Sequence, residues 1–291
     1  MTLNTLLLRY KAAKSDHKRD SAIPLPQGVT EKRDIAYGSH GKENLLDVYY
    51  PEGTDKPLPT IVSIHGGGYV YGDKEVYHRY CMDLARRGFA VVNFTYRLAP
   101  RWKFPTPLAD TNQVMHWICA NAPKYHLDPE HIFLVGDSAG AQLASQYAAM
   151  QANPEYAALF ELNMANIRIP AVALNCGLYD LTDYAQKKNR KGIYLDYLGK
   201  EISVTDPRLN VLNAIDHRYP ASFVTTGTHD FLRANAQPMW QFLQERGVDA
   251  QWRCYGAEDD ESVVHVFHCN IIHPEAVRCN DDTAAFFRKY L

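Results

Sequence analysis

The chain has 291 residues, 46% of them hydrophobic and 22% charged. That allows one large domain or two small ones with a sizeable core, and it excludes disordered, collagen-like, coiled-coil and disulfide-scaffold compositions. Lys and Arg number 31 against 33 Asp and Glu, a net charge of −2, so there is no basic footprint for nucleic acid, and no apolar run approaches the ~20 residues of a membrane-spanning helix.

Residues 1–35 are polar and helix-permissive to about Asp20, then broken by Pro24 and Pro26. The patch Leu6-Leu7-Leu8 is cut off by Arg9-Tyr10-Lys11, too soon for a secretory signal. Strands are predicted at Leu45–Tyr50 and at Thr60–Ile64, the latter a β-branched buried run that stops at Gly66–Gly68. A helix near Val76–Arg87 ends at Gly88, the strand Phe89–Phe94 follows, and a helix near Thr106–Ala122 ends before Pro123. His131–Val135 reads as a strand and Ser138–Gln151 as an Ala-rich helix. Further strands are expected at Ala171–Leu174, Ala221–Thr226 and Gln251–Tyr255, with helices at Ala236–Arg246, ended by Gly247, and Pro274–Tyr290. Strands alternating with helices of this length imply an α/β fold: one mostly parallel, doubly wound sheet covered by helices on both faces. Asp180–Tyr219 breaks the alternation. It is polar and rich in Tyr, Lys and Asp, which suits an insertion over the end of the sheet better than a linker.

The six cysteines, Cys81, Cys119, Cys176, Cys254, Cys269 and Cys279, are scattered without a C-x-x-C pair. The simplest reading is a cytoplasmic protein with free thiols. Cys254, His265, His268, Cys269, His273 and Cys279 gather near the C-terminus, but their spacing matches no common zinc pattern, and no metal site is expected.

Gly136-Asp137-Ser138-Ala139-Gly140 is a G-x-S-x-G that directly follows a predicted strand and opens a predicted helix. This is the context of a nucleophile elbow, a strained turn that small residues must flank. It would lift the Ser138 hydroxyl out of the sheet beside a helix N-terminus, where N–H groups and the dipole favour negative charge. A serine hydroxyl needs a base oriented by an acid, in the chain order Ser, Asp or Glu, His. Asp230 follows the strand Ala221–Thr226 and is preferred to Asp180, which follows Ala171–Leu174. His265 comes after the last strand and is preferred to His268 and His273; the latter precedes Pro274 and looks like the approach to the closing helix. His65-Gly66-Gly67-Gly68 ends the strand Thr60–Ile64. Glycines let backbone N–H groups face a developing oxyanion with no Cβ in the way, so donors are expected from Gly67, Gly68 and Ala139. A phosphate loop is disfavoured, because neither G-x-x-x-x-G-K-[ST] nor G-x-G-x-x-G is present.

Taken together, His65-Gly66-Gly67-Gly68-Tyr69 with Gly72-Asp73, Tyr96-Arg97-Leu98-Ala99-Pro100, the elbow, Asp230-Phe231-Leu232 and His265-Val266-Phe267 resemble the hormone-sensitive-lipase-like group of α/β-hydrolases, in its bacterial esterase branch. The resemblance spans roughly residues 40–290. It implies one α/β-hydrolase domain over 1–291, with cap segments at approximately 1–35 and 180–219. It also implies a carboxylesterase for short acyl esters: Ser138 attacks, His265 carries the proton, Asp230 orients it, and no cofactor is used. The partner expected is a small-molecule ester, and a homodimer is compatible with the reading. The same groups would serve an amidase or formamidase, or a deacetylase of sugar esters. A non-catalytic binding module, as in plant gibberellin receptors, is disfavoured because His265 is present. The tyrosines at 69, 71, 77, 179, 184, 194 and 197 fall near the expected mouth or cap, and they suit a partly wet lining.

Overall fold

The structure, a computed structural model, describes residues 1–186 and 190–291. Its strands are β1 (Val29–Ala36), β2 (Leu45–Pro51), β3 (Leu58–Ile64), β4 (Ala90–Phe94), β5 (Leu127–Asp137), β6 (Ala171–Asn175), β7 (Ala221–Gly227) and β8 (Ala250–Tyr255). The helices are α1 (Leu3–Ser21), α2 (His78–Ala85), α3 (Thr106–Asn121), α4 (Ala139–Ala152), α5 (Pro154–Ala158), α6 (Thr182–Ala185), α7 (Ile193–Leu198), α8 (Ala236–Glu245) and α9 (Pro274–Arg288). All eight strands join in one sheet, in the order β1-β2-β4-β3-β5-β6-β7-β8. β2 pairs antiparallel with β1 and β4, and every later pairing is parallel. The fold is therefore the expected α/β one.

The two-residue period of the strands sorts the apolar side chains into two cores. Val62, Val92, Leu134, Val172, Leu174 and Val224 pack with Leu108 and Ile118 of α3, Leu143 of α4 and Leu243 of α8. Their neighbours Ile61, Val91, Phe133, Ala171, Ala173 and Phe223 point the other way, onto Leu84 of α2 and Phe286 and Phe287 of α9. Burial of each such aliphatic or aromatic side chain is worth roughly 1.5–3 kcal/mol. The central strands are apolar throughout because both faces are covered.

β1 was not among the predicted elements, and it takes the end of the stretch expected to be cap. Its sequence, Val29-Thr30-Glu31-Lys32-Arg33-Asp34-Ile35-Ala36, contains no buried residue. It is an edge strand that its neighbour holds by backbone pairing, and such edges are commonly charged. α1 makes up most of the rest of the expected N-terminal cap stretch. The 180–219 insertion folds into α6, α7 and two short 3₁₀ turns, Pro207–Leu209 and Val211–Ala214; residues 187–189 of that stretch lie outside the described residues.

Candidate active site

The carboxyl ends of β3, β5, β6 and β7 lie side by side in the sheet, the edge at which open α/β sheets place their ligands. At the end of β5 the chain turns through Ser138 with φ 54° and ψ −119°, a left-handed conformation costly for a residue with a Cβ. Two glycines make the turn feasible. A Cβ on Gly136 would sit 2.3 Å from the Gly140 carbonyl oxygen, and one on Gly140 would sit 2.0 Å from that of Ile64. The strand thus doubles back closely into α4, and α4 rests directly on β3. Ser138 N–H donates to the Asn175 carbonyl at 3.0 Å, tying the turn to β6 while its side chain faces the cavity at the start of α4.

Beside it runs the glycine loop. The His65 ring is buried and stacks on Tyr96, centroids 4.0 Å apart. Burial pulls its pKa down to about 4, against the opposing effects of the Gly66 hydrogen bond and Asp73, so the ring is neutral. Nδ1 donates to the Gly66 carbonyl at 2.7 Å. The Gly67 carbonyl accepts from the N–H groups of Val70 and Tyr71 at 3.2 and 3.0 Å. In a trans peptide the C=O and the next N–H point in opposite directions. Anchoring each carbonyl therefore turns the N–H group that follows it, of Gly67 and of Gly68, away from that anchor. A Cβ on Gly67, at φ 108°, would lie 2.1 Å from the Tyr71 carbonyl oxygen. Tyr96 supports the loop from behind by donating to the His65 carbonyl at 3.0 Å.

Asp230 and His265 come from the loops after β7 and β8. The Asp230 side chain is fully buried and that of His265 is 19% exposed. Asp230 accepts from Thr226 Oγ1 at 2.8 Å, Leu232 N–H at 2.9 Å and His265 Nδ1 at 2.7 Å. Burial resists its ionisation, but the hydrogen bond and charge of His265, with the other donors, outweigh it and hold the carboxyl below the usual carboxylate value. A carboxylate can only accept, so Nδ1 of His265 carries the proton and Nε2 is free to accept. Ser138 Oγ lies 3.0 Å from that Nε2. Ser138, His265 and Asp230 thus form one hydrogen-bonded row from an alcohol to an imidazole to an ionised acid. A group of this kind can take the proton from an attacking alcohol.

The rejected candidates have other partners. Asp180 accepts from the N–H and hydroxyl of Thr182 at the start of α6. His273 caps α9 by accepting from Glu275 N–H at 3.2 Å. Burial takes the pKa of His268 down to about 3, and its ring packs edge-on to Tyr80. Sequence reasoning missed two neighbours of the row. Cys176, at φ 50°, brings its Sγ within 4.8 Å of ligand atoms of Asp230 and His265. Phe231, 76% exposed, lays its ring over His265 with centroids 4.2 Å apart. Cys176 bears no motif signature, and Phe231 was read only as part of Asp230-Phe231-Leu232; both are brought in by the loop paths.

The row opens into a cavity of about 690 Å³ lined by Gly66–Gly68, Ser138, Ala139 and His265. Among the described hydrogen bonds, none uses the N–H of Gly67, Gly68 or Ala139 as donor. α1 supplies one wall through Asn4, Leu7, Leu8, Lys11, Ser15, Asp16 and Arg19, and Ile193 and Tyr194 of α7 supply another. Of the tyrosines, Tyr69, Tyr71, Tyr77 and Tyr194 line the cavity, whereas Tyr179 and Tyr197 are buried and Tyr197 stacks on Tyr69. Polar contacts hold the α1 wall. Asp196 of α7 accepts from Thr2 N–H and Thr5 Oγ1 at 2.7 and 2.6 Å, and Arg9 donates to the carbonyls of Val70 and Ala99.

A family model described as alpha/beta hydrolase fold matches residues 61–269, a span that takes in the glycine loop, the elbow, Asp230 and His265. The chain belongs to the α/β-hydrolase fold family. The resemblance to its hormone-sensitive-lipase-like group holds. This α/β-hydrolase is 28% identical over 237 residues to Esterase LipQ of Mycobacterium tuberculosis, covering 79% of this chain and 54% of that protein. It is 31% identical over 217 residues to the versiconal hemiacetal acetate esterase of Dothistroma septosporum, covering 69% and 65%. The chain therefore spans between about half and two thirds of the length of these relatives. Among solved structures, Esterase B of Lactobacillus rhamnosis with a tributyrin phosphonate inhibitor superposes with a TM-score of 0.90 at 26% identity, covering 98% of this chain and 94% of that one. Among the described residues no helix is long and apolar enough to cross a membrane, and all six cysteines are free.

Proposed function

We propose that this α/β-hydrolase is a serine carboxylesterase for short-chain acyl esters, working through an acyl-enzyme. The observation that carries the reading is the hydrogen-bonded row itself: Ser138 Oγ to His265 Nε2 at 3.0 Å and His265 Nδ1 to Asp230 Oδ1 at 2.7 Å, at the mouth of a cavity. Ser138 attacks the ester carbonyl as His265 takes its proton. Asp230 keeps the imidazole in the useful tautomer and stabilises the imidazolium. The oxyanion rests on the N–H groups of Gly67, Gly68 and Ala139. His265 then protonates the departing alcohol, and water hydrolyses the acyl-Ser138 ester by the same steps in reverse. α1 and the 180–219 stretch act as the cap of a single hydrolase domain and shape the substrate cavity. The esterase names of the relatives, and the phosphonate on the similar Lactobacillus structure, support this reading.

The test is hydrolysis of p-nitrophenyl acetate and butyrate by the purified protein and by Ser138→Ala. The expected result is turnover by the parent and a loss of about 10³-fold or more in the variant, with the fold unchanged by circular dichroism. Equal turnover by the two proteins would overturn the assignment.

A further inference from the structure

Glycine loops have no side chains with which to anchor themselves, so hydrogen bonds to their backbone determine where their N–H groups point. Three of the anchors described above act on carbonyls of the loop or of its approach. A fourth is different, because it reaches the nucleophile's own strand. The N–H of Gly66 donates to Tyr77 Oη at 2.9 Å, and Tyr77 Oη donates to Asp137 Oδ2 at 2.7 Å. A phenol has one proton, and here it goes to the carboxyl, which leaves the oxygen lone pair for the Gly66 N–H. The polarity of the relay is thereby set. Gly66 is the residue before the expected oxyanion donors, and Asp137 is the residue before Ser138. One phenol joins the two.

We infer that Tyr77 and Asp137 are positioning residues for the reaction proposed above, fixing the glycine loop in register with the nucleophile elbow. The inference rests on the esterase reading for its mechanism. Sterics support it independently: a Cβ on Gly66 would lie 2.6 Å from Asp137 Oδ2, 3.0 Å from the Asp137 carbonyl oxygen and 3.1 Å from Tyr77 Oη. The loop therefore lies against the end of β5 with no side chain between them. Tyr77 and Asp137 are both buried at the floor of the cavity, so removing the hydroxyl leaves the Gly66 N–H and the carboxyl without their protein partner. Retaining an acid here is costly. Burial pushes the Asp137 pKa up to about 7, although Tyr77, His265 and Arg19 pull the other way. Asp137 also occupies the variable second position of G-x-S-x-G, where the motif itself demands no carboxylate. Neither residue is placed to touch the reacting atoms as acid, base or nucleophile; both act through the direction of the loop.

The experiment compares Tyr77→Phe, Asp137→Ala and Asp137→Asn with the parent. It measures kcat and KM on p-nitrophenyl butyrate, with active sites counted by phosphonate titration. It also measures the inhibition constant of a trifluoromethyl ketone, whose tetrahedral adduct presents an oxyanion, and the thermal midpoint. Removing an oxyanion donor outright costs about 10²–10³-fold in kcat, and misaiming one costs less, so about 10-fold is expected for Tyr77→Phe. About 30-fold is expected for Asp137→Ala and about 3-fold for Asp137→Asn, whose amide oxygen still accepts from the phenol. KM should stay within about twofold, and the ketone should weaken in step with kcat. Tyr77→Phe with parental kcat and parental ketone affinity would overturn the inference. So would losses that follow the fraction of active protein while the ketone affinity per active site is unchanged. An inert parent would refute the esterase reading instead, and ketone affinity would still report on the loop.

Discussion

The carboxyl edge of the sheet and the proposed cap beside it are held by different forces. At the edge, the elbow is set by exclusion: Gly136 and Gly140 leave no room for a Cβ, and β3, β5 and α4 close around them in an apolar core. In the cap, α1 buries only Thr5. Asp196, Arg9 and Arg19 hold it against α7 and against the carbonyls of Val70, Ala99 and Val76. Close packing yields only in discrete, costly steps, whereas a single polar contact contributes about 1 kcal/mol net by itself. The groups proposed for the chemistry stand on the rigid side, and the walls proposed to select substrate stand on the side that can vary cheaply.

The contrast can be broken most severely at the elbow. Gly140→Val should leave little folded protein, because its Cβ would lie 2.0 Å from the Ile64 carbonyl oxygen; recovery of soluble, cooperatively melting protein checks this. Next comes Asp230→Asn, which keeps the shape but presents His265 with the wrong tautomer. Its kcat on p-nitrophenyl butyrate should fall by about 10³–10⁴-fold with little change in thermal midpoint. A cap substitution should act in the opposite sense. Asp196→Ala removes the acceptor shared by Thr2 and Thr5. It should raise KM several-fold, lower kcat by less, and cost a few degrees in the thermal midpoint, about 2–4 °C for each kcal/mol lost. A fall in kcat as large as that of Asp230→Asn would refute the division between the two regions.

A further difference concerns pH and reads on stability, not turnover. The Asp137 carboxyl is raised from 3.8 to about 7 in the folded protein, first by burial and further by Asp16, against Tyr77, His265 and Arg19. The folded state therefore holds this proton more tightly than the unfolded chain does. The stabilisation is fully present below pH 4 and is lost as pH rises through about 7. Asp137→Asn removes this dependence. Relative to the parent it should gain stability between pH 4 and pH 8, by at most about 4 kcal/mol, since each tenfold change in proton affinity is worth about 1.4 kcal/mol. Parallel pH profiles of the thermal midpoint for parent and variant would refute this placement of the proton.

Much of the fold was legible because the central strands are buried on both faces and their sequences are apolar without interruption. Ile61-Val62, Val91-Val92 and Phe133-Leu134-Val135 lie in short, β-branched or aromatic runs that read as strands. β1 was not legible. It gains its place from backbone pairing to β2, and its side chains carry the charges of an exposed edge. At the site, Ser138 and the glycine loop were readable because strained or close-approaching backbone demands glycine at fixed spacing. Asp230 and His265 were chosen by chain order, and the fold brings the histidine into contact with an acid 35 positions away and a serine 127 positions away.

The sequence by itself determined the order of β2 to β8 and of the longer helices between them, the close turns that demand glycine, and which Ser, Asp and His stand after which strands. Those are consequences of short-range sterics and of the period of burial, and both are written in consecutive residues. Only the tertiary structure decided that Tyr77 spans Gly66 and Asp137, that the Cys176 thiol lies within 4.8 Å of the Asp230–His265 pair, and that α1 folds back as a wall of the cavity. Such contacts are made by side chains distant in sequence, and their partners are set by how loops cross the end of the sheet. No local pattern encodes them.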